Sequence, residues 1–188
     1  MSIGTMKKFY TLLSVCFVAS LIALPFGIDS SKGYDLPPQI ENFKYHFGDK
    51  SYGRIYYNGT KDISGFETEL QLSVSPKGKV YSALLILGPA GIDNINCIAR
   101  YKQVVKMLNK KYGSYTYVRE IKDPIVDDLV TDTICDPVRI EAYEIITTWK
   151  LKNMTIVARL IGDDEGFYVE IDYIFSSKKN PPELLKLL

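Results

Sequence analysis

Two cysteines, one histidine and scattered carboxylates are the residues of this chain with chemistry to offer. Cys97 and Cys135 lie well inside the sequence, while Cys16 sits in an apolar N-terminal run. A nucleophilic thiol needs a neighbouring base, and the only histidine is His46, with no Asn or Asp partner identifiable by spacing. A C-x-x-C redox motif is absent. Two cysteines in an exported chain are most simply one disulfide, so Cys97–Cys135 pairing is expected. Its closed loop of about forty residues is worth roughly 4 kcal/mol in the chain-entropy picture.

The carboxylates offer less. Glu67 and Glu69 share one face of a strand with Cα atoms about 6.5–7 Å apart, a separation known from glycosidase chemistry. Side by side on one strand, they cannot easily flank a bond from opposite sides. Asp123, Asp127, Asp128, Asp132 and Asp136 could present oxygens to a hard cation. The glycine and terminal glutamate of an EF-hand are missing, so a solvated acidic loop is the better reading. Asp163-Asp164-Glu165-Gly166 reads as a hairpin turn. No P-loop, dinucleotide glycine fingerprint, G-x-S-x-G elbow or H-E-x-x-H occurs. No catalytic residue, metal or cofactor is assigned, and the chain leans away from being an enzyme.

Tyrosine is plentiful, with 14 in the chain. Tyr56 and Tyr57, then Tyr115 and Tyr117, fall in β-prone runs where rings pack across a sheet. An exposed set would make a platform for a peptide, sugar or protein. Tyr115 and Tyr117 are expected on one face, which makes them the first candidate binding surface; Tyr56 and Tyr57 are further candidates. Trp149 is expected in the core. Asn58-Gly59-Thr60 and Asn153-Met154-Thr155 match the glycosylation sequon, relevant only in a eukaryotic source.

These residues need elements to position them. Tyr52 to Tyr57 is a short β-prone run closed by Asn58-Gly59. From Phe66 to Val74 apolar and polar residues alternate, the period of a strand with one wet face. Pro76-Lys77-Gly78-Lys79 turns the chain, and Val80 to Leu87 returns as a more apolar strand. A helix starts at Asp93 or Asn94, with Ile95, Ile98, Tyr101, Val105, Leu108 and Tyr112 on its apolar stripe. Lys110 and Lys111 suit its C-terminal end, and Gly113 its cap. Tyr115 to Glu120, Val138 to Leu151, Met154 to Ile161 and Phe167 to Phe175 read as strands. The tail from Pro181 to Leu188 could form a short helix. The fold expected is α+β, an antiparallel sheet of about five to six strands packed on one long helix in β-β-α-β-β-β order.

Residues 1–27 have the plan of a secretory signal peptide, with Lys7 and Lys8, an apolar run from Phe9 to Leu24, then Pro25 and Gly27. Met6-Lys7-Lys8-Phe9-Tyr10 resembles the opening of a bacterial Sec signal. An uncleaved N-terminal anchor is the alternative, since twenty residues can span a bilayer. A lipoprotein signal at Cys16 is disfavoured by the bulky Val15 before it. Residues 28–42 read as a linker and 43–188 as a single domain. Without residues 1–30 the chain keeps 21 basic and 21 acidic residues, which argues against nucleic-acid binding. The expectation is an exported, periplasmic or secreted, non-catalytic domain that binds a protein, peptide or envelope component. Membrane contact would come only through an uncleaved N-terminus. A carboxylate-dependent extracytoplasmic hydrolase and a secreted enzyme inhibitor are the alternatives.

Overall fold

The structure, a computed structural model, describes residues 25–60, 67–90, 97–124, 135–163 and 166–175, with the side chains at 25, 89, 90, 136 and 139 excepted. Among the described residues eight strands form one antiparallel sheet: β1 (Phe43–Asp49), β2 (Arg54–Gly59), β3 (Thr68–Val74), β4 (Val80–Ala90), β5 (Tyr117–Lys122), β6 (Tyr143–Lys150), β7 (Met154–Asp163) and β8 (Gly166–Phe175). Helix α1 (Cys97–Tyr112) lies between β4 and β5, and a five-residue helix, α2 (Cys135–Arg139), precedes β6. The spatial order is β1-β2-β3-β4-β8-β7-β6-β5. Two four-stranded meanders thus meet through their last strands, β4 and β8.

The fold is mostly β and broadly α+β, which corrects the expected five to six strands in β-β-α-β-β-β order. Four strands, not two, precede the helix. Two strands are added at the front: β2, on the β-prone run from Tyr52 to Tyr57, and β1, which has no signal of its own. Lys44, His46, Gly48 and Asp49 hide it, because its alternation is broken by a bulge between Tyr45 and Phe47. Where alternation is clean the reading and the structure agree. In β3, Thr68, Leu70, Leu72 and Val74 are buried, while Glu69 is exposed and Gln71 and Ser73 half-buried. The expected starts of that strand and of α1, at Phe66 and at Asp93 or Asn94, lie outside the described residues.

The main core sits on one face of the sheet, with a small cluster of Ile146, Val157 and Ile174 on the other. Helix α1 covers the second meander with Cys97, Tyr101, Val104 and Leu108, spaced by four, three and four residues. The Tyr101 hydroxyl donates to Ala158 O at 3.1 Å and lies 2.7 Å from Thr147 Oγ1. Burial pushes this phenol up to about 12, against the hydrogen bond from Thr147, which pulls it down. Trp149, 1% exposed, donates from Nε1 to Asn109 Oδ1 (3.0 Å) and Gly113 O (3.1 Å), at the C-terminal end of α1. Its place in the core is as expected.

Over the first meander the cover comes from residues 25–42. Ile28 and Ile40 are buried, Phe26 meets the rings of Phe43 and Tyr173 edge-on, and Tyr57 donates to Pro38 O at 2.9 Å. The Tyr34 amide donates to Gly78 O at 3.0 Å. Gly78 has φ +72°, and a Cβ there would run into the Tyr34 backbone, so the turn requires glycine twice over.

Cys97 and Cys135 form a disulfide, as the cysteine count led one to expect. It ties the start of α1 to α2, and both residues are buried. A disulfide fits an oxidising, extracellular setting. Among the described residues no helix is long and apolar enough to cross a membrane.

Candidate functional site

The opposite face of the sheet is the more open one. Its first meander presents Phe47 from β1, Tyr56 and Asn58 from β2, Glu69 and Gln71 from β3, and Ile86 from β4. The bulge in β1 places Phe47 directly across from Tyr56. Their rings stack, with centroids 4.3 Å apart and planes 14° from parallel, and His46 meets Phe47 edge-on at 4.9 Å. Phe47 is 51% exposed, a large apolar ring left in water. Beside the stack lies a groove of about 320 Å³ lined by these residues together with Tyr57 and Leu70, both of which are buried on the other face. Apolar ring surface, two amides and a carboxylate therefore converge on one recess.

Alternation sorts the four candidate tyrosines. Tyr56 is half-buried and belongs to this groove. Tyr57, its neighbour, points to the other face and is 2% exposed, and burial raises its phenol well above the usual range. Tyr115 precedes β5 and sets its ring edge-on to Trp149 at 6.4 Å. Tyr117 pairs with Thr148, whose side chain is on the face opposite to Trp149. The shared face expected for Tyr115 and Tyr117 assumed that the strand starts at Tyr115; it starts at Tyr117, and the two rings part. The structure brings together none of the four as a platform. Phe47, which sequence reading passed over, is the actual neighbour of Tyr56.

Of the carboxylates, Glu69 lines the groove and Glu67 is exposed just before β3. Asp127, Asp128 and Asp132 lie outside the described residues, as does the side chain of Asp136. Among the described residues no cluster of three or more His, Cys, Asp or Glu could hold a metal ion.

A second feature escaped the sequence because its parts are dispersed. On the open face of the second meander, Arg159 of β7 lies 4.0 Å from Glu144 of β6 and 3.8 Å from Glu170 of β8. Asp172 is two residues along from Glu170, and the cross-strand pairs Ile146–Arg159 and Arg159–Glu170 bring the group together. Ile146, Val157 and Ile174 are buried around it. Burial raises the carboxyls of Glu170 and Asp172; Arg159 opposes this, and neighbouring Glu144 and Glu170 respectively reinforce it. A carboxyl raised by folding destabilises the fold when charged and is relieved as pH falls through its raised value. Stability is therefore expected to rise as pH falls from neutrality toward the ordinary carboxylate range near 4. Glu170→Gln/Asp172→Asn should remove that rise, which urea midpoints at several pH values would measure. Asp49, held below its ordinary value by the Tyr52 and Ser51 amides, acts in the opposite sense and only in stronger acid.

No family model, curated protein or solved structure matches the chain.

Proposed function

We propose that the chain is an exported, non-catalytic binding module that holds a protein, peptide or envelope component in the groove beside Phe47 and Tyr56. The observation that carries this reading is the stack of exposed Phe47 on half-buried Tyr56, set against the amides of Asn58 and Gln71 and the carboxylate of Glu69. Flat apolar surface supplies binding energy, and directional polar groups at its rim supply selection. Export is supported by the signal-like N-terminus and by the compatibility of the disulfide with an oxidising compartment.

The hydrolase alternative has less behind it. Glu69 projects from β3 with Glu67 just ahead of it, and Glu170 and Asp172 share a strand, with Glu170 engaged by Arg159. An inhibitor would use the same kind of surface as the binder and differ only in its target.

The test is retention of a purified cell-envelope fraction on the immobilised full chain. Phe47→Ala/Tyr56→Ala is expected to lower retention about tenfold, since stacked aromatic pairs and the ring area beside them are worth roughly 1 kcal/mol or more. Tyr115→Ala/Tyr117→Ala, away from the groove, should bind as the wild type does. Equal retention by the Phe47/Tyr56 variant would remove the groove from the function.

A further inference from the structure

The two edges of the sheet are unlike each other. β1 is broken by its bulge and carries Gly48 at φ +95°, devices that bend an edge and spoil pairing with a further strand. β5 runs in unbroken register against β6 from Tyr117 to Lys122, and all six of its residues are exposed. Beyond it, in the same register, the Asp123 amide donates to Ala142 O at 2.8 Å. The alternation of an antiparallel ladder then aims the peptide groups of Tyr117, Arg119 and Ile121 at β6 and those of Val118, Glu120 and Lys122 outward. Such an edge is a template for one more strand.

Its own side chains say which strand. An antiparallel partner sets outward-facing residues against outward-facing residues, so a second copy can pair with its two-fold axis on residue 118, 119, 120, 121 or 122. An axis on 119 opposes Arg to Arg, on 120 Glu to Glu, and on 122 Lys to Lys. An axis on Val118 also avoids like charges, but its ladder would need the Thr116 amide, which is held by Thr148 O at 2.7 Å; an axis on Ile121 has neither fault. That register sets Ile121 against Ile121, Glu120 against the partner's Lys122, and Arg119 against the partner's Asp123. Symmetry makes each charge pair twice. Pro124 would fall opposite Val118, where its lack of an amide ends the ladder.

We propose that the chain forms a homodimer by antiparallel β5–β5 pairing centred on Ile121, joining the two eight-stranded sheets into one. The interface is at the far edge from the Phe47–Tyr56 groove and does not depend on what that groove binds.

Light scattering of the full chain over a concentration series is expected to reach a two-copy mass. Lys122→Glu sets Glu against the partner's Glu120 at two places and should weaken association roughly tenfold or more. Glu120→Lys should do the same, although it also removes the acceptor of the Tyr143 hydroxyl at 3.0 Å. The double variant Glu120→Lys/Lys122→Glu restores the complementarity and should restore the dimer. Ile121→Cys sets two thiols across a non-hydrogen-bonded pair with Cα atoms about 4.5 Å apart, within disulfide reach. It should oxidise to a covalent dimer, and Val118→Cys should not. A one-copy mass at every concentration overturns the proposal. So does a dimer that the charge exchange fails to restore, or one in which Ile121→Cys stays unlinked, since either places the interface elsewhere.

Discussion

Replacing Cys97 and Cys135 together by alanine is expected to destabilise the fold by roughly 4 kcal/mol. The bridge spans a sequence separation of 38 and closes a loop holding α1, β5 and the approach to β6. Without it the unfolded chain regains the freedom of that loop, while the two buried sites lose little packing. Domains of this size hold about 5–15 kcal/mol in total, so the loss is a large share of the whole. It should lower the thermal midpoint by about 10 °C. Trp149 is the chain's single tryptophan and is buried, so its fluorescence reports the transition directly. Unfolding of the wild type with and without a reductant is the measurement. An unchanged midpoint under full reduction would show that the loop is held by packing alone.

Trp149→Ala is expected to cost about 3–5 kcal/mol, the range for emptying a large buried aromatic site. The residue does two things at once. Its ring fills the space between β6 and α1, and its Nε1 holds the last turn of the helix through Asn109 and Gly113. Trp149→Phe separates the two, keeping most of the ring while leaving two acceptors without their donor. It should cost about 1–3 kcal/mol. Circular dichroism in urea, which needs no tryptophan, would measure both variants. Equal losses for Phe and Ala would mean that the hydrogen bonds, not the ring volume, fasten the helix.

The sequence made the helix, the bridge and most strands legible because their signals are local. Alternation in β3, steps of three and four in α1, and turn residues at 76–79 each lie within one short window. β1 was not legible for the same reason. Its bulge at His46 breaks the period, and as an edge strand it has no need of a continuous apolar face. The site depended on register, which no window contains. Tyr56 and Tyr57 are chemically alike, and only the pairing of β2 with β3 decides that one meets the groove and the other the core. Arg159, Glu144 and Glu170 come from three strands, so their spacing in the chain carries no mark of their meeting. Tyr115 and Tyr117 show the opposite error, a local pattern extended past the point where the strand begins.

The seam between the meanders decides the order in which this protein can be finished. Ser82 of β4 pairs with Ile174 of β8, and the ladder continues to Leu87 with Val169. Hairpins within each half close quickly, because their partners are neighbours in the chain. The central ladder waits for the last strand to arrive. Until then β4, with Leu84, Leu85, Ile86 and Leu87, remains an incomplete edge at the middle of the molecule, the kind of transient surface on which nascent chains aggregate. The disulfide tethers neither strand, but by bridging residues 97 and 135 within their connection it shortens the chain path that must close once β8 is made. A chain synthesised from its N-terminus therefore carries its most vulnerable apolar edge through most of its own assembly and closes it with β8.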